Sequence, residues 1–159
     1  YTWRVSLLHR PRERWQHQLD YVRSTTFPDR SLNTTIAYNL QFQASPDIIL
    51  EAAAQEQNVE PIDNPNNSFG GKQFRVEGRF NYRVGERITA RLGYAWQHSV
   101  GRGAAPARFD VNTIRFEWFI AHTATLSSSF LYQHEFRDSN RALDGYVENV
   151  FSITLTRTF

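Results

Sequence analysis

The feature that most constrains the fold is a two-residue alternation of apolar and polar side chains, which is clearest over residues 32–43. Alternate positions there read Leu, Thr, Ile, Tyr, Leu and Phe, and the positions between them read Asn, Thr, Ala, Asn, Gln and Gln. A strand sends successive side chains to opposite faces, whereas a helix would mix the two sets. The pattern therefore predicts a strand with one apolar face and one polar face.

The same alternation recurs in eight further segments, which brings the predicted number of strands to nine. These segments are residues 1–7, 15–21, 48–55, 74–83, 88–97, 113–120, 126–135 and 151–159. Segment 48–55 is the weakest, because its alanines would also suit a helix. Several segments exceed the roughly 5–6 residues common in soluble strands and approach the roughly 9–11 that a tilted membrane strand needs.

Short and long connections alternate between the predicted strands. The short ones are 10–14, 45–47, 85–87 and 123–125, and the long ones, rich in Gly, Pro, Asn or Asp, are 58–71, 99–110 and 138–145. Only the connection at 28–31 breaks this rule. Outer-membrane barrels have short periplasmic turns and longer outer loops, so the alternation favours that architecture.

A three-residue loop at 85–87 predicts the register of the hairpin that it closes. Val84 then pairs with Ile88, and Gly78 lies opposite Tyr94, whose ring would cover the glycine. The same construction predicts two further starting pairs, Ala44 with Ile48 and His122 with Leu126. A slip of one residue would turn each apolar set to the wrong face.

The composition is consistent with a membrane barrel and excludes several other classes. Aromatic residues make up 14% of the chain, yet the mean hydropathy is −0.56 and no apolar run reaches the roughly 20 residues of a membrane helix. Barrel strands hide their membrane signal in this way, because lipid-facing and lumen-facing residues alternate. The absence of cysteine excludes disulfides, thiolate metal sites and a cysteine nucleophile. The arginines are scattered through strands, which argues against a nucleic-acid partner.

We therefore predict an all-β fold, an antiparallel up-and-down transmembrane β-barrel in a Gram-negative outer membrane, as one domain over residues 1–159. A complete single-chain barrel has an even strand number and both ends in the periplasm. With nine strands, either segment 1–7 is not a barrel strand or the chain is the C-terminal portion of a larger barrel. The second is favoured, because segment 1–7 alternates well and the chain opens without Met or a leader. A soluble β-sandwich or small ligand-binding barrel would also alternate and stays open as an alternative.

Polar positions of the central and later segments carry the candidate lumen-facing side chains. They are Arg75, Glu77, Arg79, Arg83, Arg91, Arg115, Glu117, Gln133 and Glu135. Arginine stays charged and grips carboxylate and phosphate, so one interpretation is a porin-like channel for solutes or an exported anionic polymer. The other is a self-neutralising ladder, because Glu77 lies between Arg75 and Arg79 and Glu117 follows Arg115 by one inward step. The two interpretations can hold together.

Aromatic residues on the apolar positions form the predicted lipid-facing girdle. They are Phe74, Tyr82, Tyr94, Trp96, Trp118, Tyr132 and Phe136. The five histidines lie at strand ends without metal-ligand spacing, and no acid–base pair stands out. We therefore expect no metal site, no cofactor and no catalytic residue, with an outer-membrane hydrolase kept as a remote alternative.

The end of the chain resembles the C-terminal strand signature of outer-membrane barrels. Apolar residues alternate at Phe151, Ile153, Leu155 and Phe159, although Arg157 stands where the signature usually has Tyr or another apolar residue. The resemblance implies recognition and insertion by the barrel-assembly machinery.

Two nearby stretches, Tyr132–Asn140 and Tyr146–Phe151, resemble the endings of outer-membrane barrels associated with exopolysaccharide operons and PEP-CTERM/exosortase systems. This resemblance implies a large barrel for polymer export. The chain also resembles the porin-like sheath that holds multihaem cytochromes, which implies a scaffold barrel enclosing or anchoring a partner protein. The partners expected are thus outer-membrane lipid, the assembly machinery, and an anionic polymer or a lumen-filling protein.

Overall fold

A computed structural model describes residues 1–26, 31–62, 70–102, 106–141 and 144–158. Over these residues the chain forms nine strands: β1 (Thr2–Arg12), β2 (Trp15–Thr26), β3 (Ser31–Ser45), β4 (Ile48–Pro61), β5 (Gly71–Val84), β6 (Ile88–Gly101), β7 (Arg108–Ala121), β8 (Leu126–Ser139) and β9 (Tyr146–Arg157). Within the described ranges, no helix is long and apolar enough to cross a membrane.

The strands form one antiparallel sheet in which each pairs with its neighbours in sequence, in the order β1 to β9. The all-β, up-and-down fold and the predicted strand number are confirmed for the described residues. The sheet is open, because β1 and β9 are its two edges and do not pair with each other.

Strand β4 shows how tertiary context overrides local propensity. Its alanines would suit a helix, but the segment lies between β3 and β5 and is paired along nearly its whole length on both sides. Ala52 lies between Leu40 and Gly78 on the apolar face. Strand formation here depends on these neighbours, as is usual for β-structure.

Connections at one end of the sheet span two to four residues, and those at the other end span four to nine. The short ones span residues 13–14, 46–47, 85–87 and 122–125, and the others span 27–30, 62–70, 102–107 and 140–145. The strands run further than predicted, since β4 ends at Pro61, β6 at Gly101 and β8 at Ser139. Continued pairing satisfies backbone N–H and C=O groups beyond the apolar segment, so polar residues can extend the ladder.

The predicted hairpin registers are confirmed with one correction. Val84 pairs with Ile88, and His122 N donates to the carbonyl of Leu126 at 2.9 Å. At the β3–β4 turn, however, Ser45 rather than Ala44 pairs with Ile48, because a β-bulge shifts the register after Gln43. The extra residue affects only the turn end of β3. On the other side of the bulge the predicted register holds, and Phe42 pairs with Leu50 as expected.

The predicted aromatic cover of a strand glycine is wrong, although its register is right. Gly78 pairs with Tyr94, but no heavy atom lies within 4 Å of a Cβ built at Gly78. The Tyr94 hydroxyl instead donates to Asn112 Oδ1 at 2.7 Å on β7. This hydrogen bond draws the ring away from the glycine.

Gly85, at the start of the β5–β6 turn, has a φ of 70°. An L side chain in this left-handed region costs about 1–2 kcal/mol. We expect Gly85→Ala to lower the free energy of unfolding by about 1 kcal/mol, measured by urea unfolding followed by tryptophan fluorescence. Gly78→Ala is the matched control, because Gly78 lies in a strand with open space at its Cβ position. Equal losses in both variants would contradict a role for the backbone angle.

The sheet has two faces of opposite character and no hydrophobic core in the described residues. The one buried hydrophobic side chain there is Ala95, and it lies on the polar face. The apolar face stays exposed, with Leu92 at 51% and Ile153 at 80%. Contiguous exposed apolar surface of this kind marks an interaction surface on a protein.

Candidate functional site

The polar face of the central strands holds a depression of about 800 Å³. All nine predicted lumen-facing side chains line it: Arg75, Glu77, Arg79, Arg83, Arg91, Arg115, Glu117, Gln133 and Glu135. Strands β5 to β8 place them there because each lies at an odd-numbered position of an unbroken antiparallel ladder. The structure thus brings together on one surface residues that lie up to sixty positions apart in sequence.

Glu77 is the hub of the ion pairs in this depression. Arg75 donates to Glu77 Oε2 through Nε at 3.3 Å and through a terminal nitrogen at 3.0 Å. Arg79 contacts the other carboxylate oxygen of Glu77 and lies 4.0 Å from Glu51. The predicted pairing of Glu77 with both flanking arginines is therefore confirmed. Its side chain is only 16% exposed, so the two guanidiniums largely replace its water.

A second expected pair is wrong. Glu117 does not pair with Arg115 of its own strand but with Arg91 of β6, at 3.3 Å. Arg91 and Glu117 lie directly opposite each other in the β6–β7 ladder. Opposite residues in an antiparallel pair have Cβ atoms about 4.5–5.5 Å apart, closer than residues two apart on one strand, so the cross-strand partner wins.

Two acidic residues that were not predicted complete the depression. Asp47, in the β3–β4 turn, accepts from Arg83 Nε at 2.9 Å, and Glu51 of β4 lies beside Arg79. Glu51 lies at a position of β4 that the alternation assigns to the polar face, so it could have been identified from the sequence. Asp47 lies in a turn, where the alternation does not apply. Among the described lining residues, five arginines thus face five carboxylates.

Glu135 and Arg115 occupy the β7–β8 side of the depression. Glu135 accepts hydrogen bonds from the hydroxyls of Tyr146 and Thr113, the latter at 3.3 Å. Arg115 has no hydrogen bond or ion pair to any described residue. It is therefore the one lining arginine, among the residues described, whose charge no carboxylate balances.

A smaller depression of about 270 Å³ adjoins the first on the same face. Four amide side chains of β2 and β3 line it, those of Gln16, Gln18, Asn39 and Gln41. It shares three charged residues with the larger depression, Glu51, Glu77 and Arg79. The lining thus changes from uncharged amides in the smaller depression to ion pairs in the larger one, and further along β2 Asp20 pairs with Arg4 at 3.6 Å. Sequence reasoning missed this amide surface because it selected charged side chains.

The predicted girdle residues all lie on the opposite, apolar face. Phe74, Tyr82, Tyr94, Trp96, Trp118, Tyr132 and Phe136 occupy even-numbered positions of β5 to β8. Several make hydrogen bonds to polar side chains of a neighbouring strand. Trp96 Nε1 donates to Asp110 at 3.2 Å, and the Tyr132 hydroxyl donates to Asn149 at 3.0 Å. These rings therefore have an apolar body and a polar end, as residues at a membrane interface do.

The apolar residues form a band that crosses the hydrogen-bonded rows of the sheet obliquely. One row joins Leu7, Leu19, Tyr38, Ala54, Val76, Trp96, Asn112, Phe136 and Val147. On β1 this row marks the limit of the band toward the short connections, because Leu7 is followed by His9 on that face. On β6 the same row marks the limit toward the longer connections, because Trp96 is followed by His98. The strands are therefore inclined to the band.

The register is staggered in the same sense. Leu7 lies five residues before the end of β1, whereas Val147, in the same row, lies ten before the end of β9. Closing a sheet into a barrel requires tilted strands and a staggered register of this kind. On β6 the band runs from Ile88 to Trp96, about 27 Å along the strand at about 3.4 Å per residue.

The prediction that the histidines lie at strand ends holds for His122, just after β7, whereas His98 and His134 lie inside β6 and β8, which run on to Gly101 and Ser139. The neighbours of all three are polar groups of adjacent strands. His98 Nδ1 is 2.9 Å from Asp110, and His134 Nδ1 is 2.9 Å from Asn149. His122 Nε2 lies 2.8 Å from the Ser128 hydroxyl. No described acidic residue contacts His122, so the pair lacks the orienting carboxylate of a hydrolase triad. Within the described ranges, no three His, Asp or Glu side chains converge as a metal site would need.

The stretch Arg137–Asn140 ties the end of β8 to the start of β7. The Arg137 guanidinium lies 4.1 Å from the centre of the Phe109 ring. The Asn140 side chain accepts from Arg108 N at 2.8 Å and donates to the carbonyl of Pro106 at 3.1 Å. These residues therefore organise the β6–β7 connection at the rim of the sheet.

The residues of the predicted assembly signal lie on the outermost strand. Phe151, Ile153 and Leu155 point to the apolar face of β9 and are 67%, 80% and 69% exposed, and Phe159 lies outside the described residues. No family model and no curated protein matches the chain. Its function therefore has to be inferred from the two faces of the sheet.

Proposed function

We propose that this chain forms part of the wall of an outer-membrane β-barrel, whose polar face lines a water-filled conduit for polar solutes or an exported polymer. The observation that carries this proposal is the uncovered apolar band on the face opposite the ion-paired depression. Lipid acyl chains are the cover that best suits it. Acyl chains form no hydrogen bonds, and the apolar side chains between the polar ends of the band have no hydrogen-bonding groups that would need partners.

The dimensions of the band favour lipid over a second protein layer. A strand tilted by roughly 40° converts about 27 Å along β6 into about 20 Å along the barrel axis, near the roughly 25 Å band of membrane barrels. Rings with polar ends border it at Trp96 and Tyr132. A soluble sandwich would instead cover this face with another sheet.

The open edges favour a barrel larger than this sheet. Unpaired N–H and C=O groups along β1 and β9 would each cost several kcal/mol in hydrocarbon, so both edges need partner strands. Both edges run toward the short connections, and they would be parallel neighbours if joined directly. Further antiparallel strands between them would complete the even number found in bacterial barrels.

The polar face suits passage of hydrated cargo. Amides near β2 and ion pairs near β6 present hydrogen-bonding groups, and the charges of the larger depression sum to zero. A wall that is polar but neutral overall presents no net field of either sign to polar cargo.

The test is conductance. We expect the full-length protein, folded in detergent and added to a planar lipid bilayer, to give stepwise ohmic currents in potassium chloride. Heat-denatured protein from the same preparation is the control and should give none. Folded protein that inserts without conducting would contradict the conduit and would favour a barrel filled by a partner protein.

A further inference from the structure

We infer that Arg115 is an oxyanion-binding residue, the centre of a discrete site for a carboxylate or phosphate group on the conduit wall. The inference rests on the proposed function and adds a ligand class and a position to it. It starts from the absence of any described partner for Arg115, which is exposed within the larger depression.

The neighbouring carboxylates are engaged elsewhere. Glu117, two residues along β7, pairs with Arg91 at 3.3 Å. Glu135, diagonally across on β8, accepts from two hydroxyls, those of Tyr146 and Thr113. Arg115 therefore keeps its five N–H donors available, in a fork that matches the two oxygens of a carboxylate or phosphate.

A glycine forms the floor beside Arg115. Gly93 of β6 lies directly between Arg115 and Arg79 in one row of the sheet. A Cβ built at Gly93 would be in ordinary van der Waals contact with Arg79 Cγ at 3.8 Å, so no side chain fills the floor and a larger one could be placed there without a clash at its Cβ. Strands are about 4.8 Å apart, so the two arginine backbones stand about 10 Å apart across this gap. An oxyanion placed above Gly93 would be near the free guanidinium on one side and Arg79 on the other.

Gln133 bounds the other side of Arg115. It pairs with Arg115 across the β7–β8 ladder, and its side chain has no hydrogen bond to any described residue. Its amide can donate to an oxyanion without bringing a negative charge. The three side chains around the gap thus offer donors; of the nearest acids, Glu117 is paired with Arg91 and Glu135 is held by two neutral hydroxyls.

The experiment measures anion binding directly, apart from conduction. Full-length protein in detergent is titrated with inorganic phosphate and, separately, with succinate, by calorimetry, to identify which oxyanion the site prefers. We expect saturable binding of at least one probe, weakened about tenfold or more in Arg115→Gln. Arg87→Gln, in the β5–β6 turn outside the depression, removes the same charge and should bind as the wild type does.

A second pair of variants tests the gap above the glycine. Gly93→Glu places a tethered carboxylate between Arg115 and Arg79, and Gly93→Gln adds the same bulk without charge. We expect the Glu variant to bind the probe at least about tenfold more weakly than the Gln variant. Equal affinities in these two variants, wild-type affinity in Arg115→Gln, or no binding of either probe to the wild type would overturn the inference.

The two proposals fail in different ways. If the protein binds phosphate through Arg115 but carries no current, the anion site is supported and the conduit is contradicted. If the protein conducts, but binds neither probe or binds equally well after Arg115→Gln, the conduit is supported and the anion site is contradicted.

Discussion

Replacing Leu92 with arginine is expected to lower the free energy of unfolding in lipid vesicles by about 2–4 kcal/mol, or to prevent insertion. Leu92 lies at the middle of the apolar band on β6 and is 51% exposed. If lipid covers this face, the charge is forced into hydrocarbon near the midplane. The measurement is urea unfolding of vesicle-inserted protein, followed by tryptophan fluorescence.

Leu131→Arg is the matched control on the opposite face. Leu131 lies on β8 with its side chain on the polar face, opposite Glu117, in a row adjacent to that of Leu92. The same substitution on the polar face should cost less than about 1 kcal/mol, because water and a carboxylate are within reach. Similar losses at both positions would mean that lipid does not cover the Leu92 face.

Replacing Glu77 with glutamine is expected to have the second-largest effect, because one carboxylate serves two arginines. The substitution keeps the size of the side chain but leaves Arg75 without a carboxylate partner and Arg79 with only Glu51, at 4.0 Å. We expect a loss of about 1–2 kcal/mol of unfolding free energy, moderated by the partial exposure of both arginines. The lining would also gain one net positive charge, so the reversal potential in a potassium chloride gradient should shift toward anion preference.

Glu86→Gln separates the role of Glu77 from the loss of any negative charge. Glu86 is exposed in the β5–β6 turn, outside the depression. Its replacement should change the unfolding free energy by less than about 0.5 kcal/mol and leave the reversal potential unchanged. A Glu77 variant that behaves like this control would show that the ion-pair hub does not shape the wall.

Much of the fold was predictable because the information is local. The alternation assigns each strand residue to a face, and short turns set the register, as at Val84 and Ile88. The exceptions also have local causes: a bulge after Gln43 displaced the Ala44 pairing, and the hydrogen bond from Tyr94 to Asn112 moved the ring from Gly78. Strand ends were placed too early because apolar character was used as the limit, whereas backbone pairing continues into polar sequence.

The sequence was enough to predict which residues line the candidate site, but not which of them form ion pairs with each other. Parity alone placed Arg75, Glu77, Arg91, Arg115 and Glu117 on one face. It could not decide whether Glu117 turns to Arg115 on its own strand or to Arg91 on the next, because long side chains reach both. That choice depends on which strands are adjacent and in what register.

The sequence by itself determined that the chain is all-β, that every strand has one apolar and one polar face, and which arginines share a surface. These properties follow from a two-residue period that needs no distant partner. Tertiary structure decided that the ladder pairs every described lining arginine except Arg115 with a carboxylate, that Gly93 lies between Arg115 and Arg79, and that the apolar band runs oblique to the strands. These properties arise from cross-strand register, which couples residues far apart in the chain.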